Sequence, residues 1–540
     1  MKRQVSIWVV AVLVLLGVFV GMEINQLISG DNLYEQLRKF QDVLSYTEKY
    51  YVEEVEIGKL TETAITSMLE KLDPHSIYIP PRAFENVTEQ FRGKFEGIGI
   101  SFRVLNDTIT VVEVIGGGPS AKIGILSNDK IVKIDGNPSI GMNQEDVVKK
   151  LRGPKGTRVT VTIIRAAEKE PLVFEIIRDE IPLYSVDTSI MINDEIGYIS
   201  VNKFNEQTGQ EMERALRKLR EQGMKKLVLD LRGNPGGYLE EAVRMADQFL
   251  DGGEKGEPKK IVYTKARRPE FEEVYFAKSG DAFEQLPLVI LIGPASASAS
   301  EIVAGAVQDW DRGLIVGETS FGKGLVQRQW KLADGSAFRL TIAKYYTPSG
   351  RLIQRDFKGK EREAYTREVL EREEAEGDNI EHKLESDSAK PVFRTHGGRI
   401  VYGGGGITPD YVVKSERLSA TAATLRNRDM FYQFIVKYLD GPGLNLRATY
   451  AKDFKKFRDT YSVGDKMIQE FKSFVESREI KIDEKEFTKD LVFIKTWLKA
   501  HIARAFWGND GWYPIVLEMD TQFKKGVSLF PEAEKIAKLN

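Results

Sequence analysis

Three short stretches of this 540-residue chain carry residue types that could do chemistry. The first is Asp230-Leu231-Arg232-Gly233-Asn234-Pro235-Gly236-Gly237, which follows an apolar run and precedes a helical pattern. Glycines at such a junction let backbone N–H groups approach a ligand closely, and donors at a helix start suit a developing negative charge. Taken alone, the same residues equally make a tight strand-to-helix turn. The second is Ala295-Ser296-Ala297-Ser298-Ala299-Ser300-Glu301, also between an apolar strand and a helix. A serine there stands at a strand end with a helix dipole behind it, and its small neighbours permit close approach. The plainer reading is a helix cap, with Glu301 completing a capping box. The third runs from Gly317 to Gln327 and sets Lys323 between Gly322 and Gly324. A phosphate-binding loop would need a hydroxyl residue directly after the lysine, and Gly324-Leu325 supplies none. A lysine in a surface turn is the bland alternative.

The rest of the chain must position these stretches. Its length suggests two to four domains. Lys2 and Arg3 precede an uncharged run from Val5 to Met22. The run is at the short end of the roughly 17–25 residues a spanning helix needs. A cleaved signal peptide competes, but Gly21-Met22-Glu23 makes a poor cleavage site, so residues 1–24 are expected to be an uncleaved anchor, with the remainder exported. Residues 25–86 read as a helical region, stopped at Asp73-Pro74. Residues 87–178 hold short alternating strands at 109–114, 130–134 and 159–163, a turn at Asp135-Gly136 and a helix at 145–151. Residues 181–415 alternate continuous apolar strands (195–201, 227–231, 288–292) with helices near 212–219, 240–249 and 300–310. That pattern indicates a layered α/β core. The charged stretch 358–390 reads as a solvated insertion. Residues 416–540 are expected to form an accessory helical domain, with Trp507, Trp512 and Tyr513 in its packing.

Composition narrows the chemistry. Hydrophobic residues make up 42% and charged residues 29%, and the net charge of −2 is mixed along the chain. That is globular composition without the clustered basic face of a nucleic-acid binder. No cysteine is present, which excludes disulfides, thiolate chemistry and lipidation at an N-terminal Cys. The four histidines, His75, His382, His396 and His501, are scattered without an HExxH pattern, which argues against a metalloprotease. No metal or cofactor is implied.

Taken together, DLRGNPGG, SASASE, GETSFGKGLVQ, the Leu340–Gly350 run ending in Thr-Pro-Ser-Gly, and Gly406-Ile407-Thr408-Pro409-Asp410 resemble the C-terminal processing peptidases, the tail-specific serine protease family. The resemblance covers roughly residues 30–415 and implies a ClpP/crotonase-like layered α/β protease core. It assigns Ser298 as nucleophile and Lys323, 25 residues further on, as general base. Gln327 is implied to orient the lysine, and the oxyanion hole to use the amide of Ala299 with a glycine of the turn, Gly236 in preference to Gly237. Asp309 matches a position implicated in some members, though helix stabilisation is its simpler role. Serine is a poor nucleophile until a base takes its proton. Lysine, titrating ordinarily near about 10.4, serves as that base only when desolvation lowers its pKa. Ser-Lys pairs are a recognised variant of the Ser-His-Asp arrangement. Gly293-Pro294-Ala295 departs from the family's usual residues before SASAS, which leaves the loop's conformation open.

The second unit resembles a PDZ domain. Gly97-Ile98-Gly99-Ile100 is similar to the carboxylate-binding loop of those domains, and Gly118–Ile125 and Asn128–Gly136 continue the match. The resemblance implies capture of apolar polypeptide C-termini by strand addition. The implied setting is a bacterial inner membrane with the catalytic part on the periplasmic side. A homodimer through the N- and C-terminal helical regions would fit the family. Two other classes compete: a catalytically silent PDZ scaffold, which would lack Ser298 or Lys323, and a crotonase-like acyl-CoA enzyme, which would need neither the serine nor the PDZ insertion.

Overall fold

A computed structural model describes residues 32–253, 257–280, 282–372 and 390–539. The expected anchor, residues 1–24, lies outside them. Among the described residues no helix is long and apolar enough to cross a membrane. The chain divides into two compact units, residues 1–78 and 79–540.

In the first unit the expected helical region is two helices, Leu33–Tyr50 and Ile57–Glu70. Asn32 caps the first by accepting the Tyr34 N–H at 3.1 Å. Asp73 closes the turn after the second by accepting the His75 and Ser76 N–H groups.

The second unit begins with a small β domain. Its sheet runs in the order Ile100–Leu105, Thr108–Val114, Lys130–Ile134, Arg158–Ile164 and Leu172–Ile177, with the helix Gln144–Leu151 beside it. Alternate residues Ile109 and Val111, Val159, Val161 and Ile163 form its core, as a period of two requires. Entry strand Lys94–Gly97 pairs with exit strand Asp179–Pro182, so the domain leaves the chain at one narrow neck.

The larger core is a six-stranded sheet whose spatial order equals its chain order: β1 (Val186–Met191), β2 (Ile196–Val201), β3 (Lys226–Asp230), β4 (Leu288–Ile292), β5 (Leu314–Gly317) and β6 (Tyr411–Val412). β1 is antiparallel to β2, and the remaining pairs are parallel. Helices α1 (Thr208–Glu221), α2 (Leu239–Asp247) and α3 (Ala299–Asp309) cover one face. Along β4, Leu288, Ile290 and Ile292 point to that face, while Val289 and Leu291 point to the other. Burial on both faces explains the continuous apolar run.

What covers the second face differs from the single accessory domain expected for 416–540. Leu517, Phe523, Leu529, Phe530 and Ala533 pack directly on Tyr198, Val228, Val289, Leu291 and Val316. The C-terminal helices are therefore the second layer of the core itself. A separate helical body precedes them, built on an aromatic-rich cluster that includes Phe431, Phe434, Phe457, Phe471 and Ile494. Trp512 packs there edge-on to Trp497, whereas the Tyr513 hydroxyl reaches across to Ser200 at 3.1 Å. Of the charged stretch 358–390, Arg362–Leu370 is a helix, and residues 373–389 lie outside the described set.

Candidate active site

The three stretches leave the carboxyl ends of neighbouring parallel strands β3, β4 and β5, and so converge on one edge of the sheet. That edge is where an open α/β sheet forms its crevice.

Asn234 joins the first stretch to the second. Its carbonyl accepts the Ala297 N–H and the Ser300 hydroxyl, both at 3.0 Å, and its side-chain amide donates to the Val201 carbonyl at 2.9 Å. The three serines of SASAS are thereby distinguished. Ser296 and Ser300 are fully buried, and their hydroxyls donate to the Leu231 and Asn234 carbonyls. Ser298 is partly exposed at the head of α3, with φ 54° and ψ −109°. A non-glycine residue held there costs about 1–3 kcal/mol, and such strain concentrates at functional positions. Gly293-Pro294-Ala295, where the sequence departs from the family pattern, forms a turn closed by Ser296 N–H donating to the Gly293 carbonyl at 2.8 Å.

Gly236 lies against this serine with φ 95°. A Cβ added to it would come within 2.7 Å of the Ala297 carbonyl oxygen, 2.8 Å of Ser298 Cβ and 2.9 Å of Ala299 N. Its N–H, however, donates to Asn234 Oδ1 at 2.9 Å. Among the described residues the Gly237 N–H donates to nothing, and the Ala299 N–H, first in α3, has no intrahelical acceptor.

Glu301 joins the second stretch to the third. The Ser298 N–H (2.8 Å) and the Lys323 N–H (2.9 Å) donate to the same oxygen, Oε2. Oε1 accepts the Gly322 N–H at 2.7 Å and the Ser320 hydroxyl. Burial pushes this carboxyl above its ordinary value, against the hydrogen bonds from Ser320, Lys323, Gly322 and Ser298. Tyr345 makes a second bridge: its hydroxyl reaches the Lys323 carbonyl at 2.7 Å and the Ser298 carbonyl at 3.1 Å. Burial pushes its phenol up, so it stays a donor. The backbones of Ser298 and Lys323 are thus held together at two points.

Gln327 follows on the strand Leu325–Lys331; its Nε2 is buried and engages no acceptor among the described residues. Asp309 sits at the far end of α3, fully buried in an ion pair with Arg351, and accepts the Ser349 N–H at 2.9 Å. This arrangement anchors the helix. His396 lies against Trp310, and His501 is half-buried in the helical body against Trp512, where desolvation pushes it down to about 3. In the β domain, Ser120 fixes the Ile98 carbonyl through its hydroxyl (2.6 Å) and N–H (3.1 Å). Among the described residues the N–H groups of Ile98 and Gly99 donate to nothing. Ile100 begins the edge strand of the sheet.

Sequence reasoning named Ser298, Lys323, Gln327, Gly236 and Ala299 but missed Asn234 and Tyr345, and it saw in Glu301 only a capping residue. The capping-box spacing was the one available signal for Glu301.

Residues 195–361 match peptidase family S41, residues 97–176 the PDZ domain, and residues 22–82 the N-terminal domain of the activating protease CtpB. Residues 422–508 match a family of unknown function. A carboxy-terminal-processing protease of Bartonella bacilliformis is 39% identical over 358 residues, covering 66% of this chain and 81% of that protein. A CtpA-like serine protease of Staphylococcus aureus is 35% identical over 342 residues, covering 61% of this chain and 65% of that one. Among solved structures, a photosystem II D1 C-terminal processing protease aligns at 28% identity over 58% of this chain and 89% of its own, with a TM-score of 0.32. The chain belongs to the C-terminal processing serine peptidases of family S41 and carries their PDZ domain.

Proposed function

We propose that this peptidase hydrolyses its substrates by a Ser-Lys acyl-enzyme route, with Ser298 as nucleophile and Lys323 as general base. The observation that carries the reading is the double bridge, Glu301 Oε2 to both N–H groups and the Tyr345 hydroxyl to both carbonyls, around the one SASAS serine not locked in the interior. Neutral Lys323 takes the Ser298 proton as Oγ attacks the scissile carbonyl, then returns it to the leaving amine, and water repeats the sequence on the acyl-enzyme. Gln327 orients the lysine. The Ala299 N–H, first in α3, stabilises the developing oxyanion. Its partner donor is the Gly237 N–H, since that of Gly236 is committed to Asn234; Gly236 instead keeps open the space beside the nucleophile. Gly236→Ala is expected to lower turnover at least about 100-fold and stability by about 1–3 kcal/mol. Peptidase assays and thermal melts check this, and an alanine variant of undiminished turnover would remove the glycine from the site.

The PDZ domain captures the substrate's C-terminus. The free Ile98 and Gly99 amides support a carboxylate nest over Gly97–Ile100, and the open edge of Ile100–Leu105 supports strand addition by an apolar tail. The test is hydrolysis of one peptide with an apolar tail in carboxylate and amide forms. Amidation is expected to raise KM about tenfold or more, with kcat kept within about twofold. Equal kinetics for the two forms would remove tail capture but leave the Ser-Lys chemistry standing.

Lys2-Arg3 and the uncharged run that follows support anchorage in a bacterial inner membrane with the catalytic part on the periplasmic side; fractionation and protease accessibility in whole cells test it. A homodimer is supported by the helix Leu33–Tyr50, which buries none of its residues and exposes Leu33, Leu37, Phe40 and Val43. Sedimentation analysis distinguishes monomer from dimer.

A further inference from the structure

Asn234 ties the turn at Gly236-Gly237 to the serine loop, and Glu301 ties the serine loop to the lysine loop. The first and third of these loops are also joined from behind, by the C-terminal helix Thr521–Ser528. Gln522, only 3% exposed, uses every polar atom of its side chain in this link. Its Oε1 accepts from Arg232 at 2.8 Å; its Nε2 donates to the Val413 carbonyl at 2.7 Å and to Glu318 Oε2 at 3.1 Å. Arg232 lies four residues before Gly236, and Glu318 five residues before Lys323.

Neighbouring groups make the link stiff. Arg232 is held between Asp230 (2.6 Å) and Asp520 (2.7 Å). Asp520 also caps the helix by accepting the Phe523 N–H at 2.9 Å. Phe523 packs edge-on against Tyr198, whose hydroxyl donates to Asp230 at 2.7 Å. On the other side, Glu318 N–H donates to the Ile292 carbonyl and its Oε2 accepts the Ser415 N–H at 3.2 Å. Gln522 is thus the neutral group between a cation that heads the oxyanion turn and an anion that heads the base loop.

We propose that Gln522, with Asp520, is a positioning residue of the peptidase: it fixes the spacing between the oxyanion turn and the Lys323 loop, and so makes catalysis depend on how the C-terminal helical layer is seated. The inference rests on the Ser298–Lys323 reading above. Gln522 touches neither reacting residue; it acts through Arg232 and Glu318. A spacing error of about 1 Å at reacting groups can cost on the order of 100-fold in rate without altering the binding of distant parts of a substrate.

The test uses the full-length chain and three variants, Gln522→Glu, Glu318→Gln and the double variant that exchanges them. Gln522→Glu keeps an acceptor for Arg232 but sets two carboxylates against each other. The readouts are phosphonylation of Ser298 by a fluorophosphonate, with fluoride leaving, kcat and KM on the apolar-tailed peptide, and backbone hydrogen exchange over residues 231–238 and 317–324. Gln522→Glu is expected to slow phosphonylation and kcat at least about tenfold with KM within about twofold, and to speed exchange in both loops but not in the PDZ sheet. The double variant is expected to recover part of both losses, because the amide and carboxylate again face each other while the Val413 carbonyl stays without its donor. A folded Gln522→Glu protein with parental exchange in both loops, or a double variant no better than the single one, would overturn the proposal. A parent protein that neither hydrolyses peptide nor is phosphonylated would instead overturn the Ser-Lys reading, and hydrogen exchange would still decide whether Gln522 couples the loops.

Discussion

Lys323→Arg is expected to be as inactive as Lys323→Ala, each losing on the order of 10⁴-fold or more in turnover, the loss also expected of Ser298→Ala. The arginine variant carries the argument. It keeps a positive charge at the same place and could still steer an anion or hold a loop, but it cannot give up its proton at working pH and so cannot serve as base. The backbone around the pair should survive all three changes. The N–H groups of Lys323 and Ser298 bind the Glu301 carboxylate and their carbonyls bind Tyr345, so these two bridges do not depend on either side chain. Melting temperatures are therefore expected to stay within a few degrees of the parent. Peptide turnover and fluorophosphonate labelling check the result together. Substantial activity in Lys323→Arg would mean that the lysine contributes charge, and another group would have to take the serine proton.

The second large effect is expected at Glu301, and it should appear in stability as well as in rate. Glu301→Leu strands four donors at once: the buried Gly322 N–H and Ser320 hydroxyl, and the partly buried N–H groups of Ser298 and Lys323. Each unsatisfied donor costs about 1–3 kcal/mol. Even with partial relaxation, a loss of at least about 3 kcal/mol and no measurable turnover are expected. Glu301→Gln should be milder in stability, because one oxygen still accepts two bonds, but its amide faces the remaining two donors and should still disable the site. The carboxyl also gives stability a pH dependence. Its folded pKa is raised above the ordinary 4.5, chiefly by burial, so the native state holds the proton more tightly than the unfolded chain. The stability this adds is fully present below the ordinary pKa and is lost as pH rises through the raised one. Denaturation across that window should show the parent's advantage over Glu301→Gln narrowing as pH rises. A constant gap would mean that Glu301 has the same pKa folded and unfolded.

Much of this was legible in the sequence for a local reason. A buried parallel strand must be a continuous apolar run, so β3 and β4 could be read directly, and the glycine- and serine-rich segments at their ends marked the loops. The order and spacing of those motifs sufficed to name Ser298 and Lys323. Glu301 was visible three residues after Ser298, and its bond to the Ser298 N–H is the one such spacing suggests. Its bonds to Ser320, Gly322 and Lys323 were not visible, because those partners lie 19 to 22 residues away and are brought near only when β4 and β5 pair. Tyr345 looked like any strand tyrosine; its hydroxyl meets Ser298 across 47 residues. The resemblance preferred Gly236 to Gly237, and nothing in the turn's sequence showed that Asn234 Oδ1 would take the Gly236 amide. Residues 517–536 have the same helical periodicity as the aromatic-rich body before them. Periodicity shows that a face is apolar but not what it covers, and only the fold laid that face on the sheet. The sequence by itself determined which residues are candidates for the chemistry and the strands and turns that present them. The tertiary structure alone decided which buried polar groups hold those residues together, since each such partner is chosen by topology rather than by its neighbours in the chain.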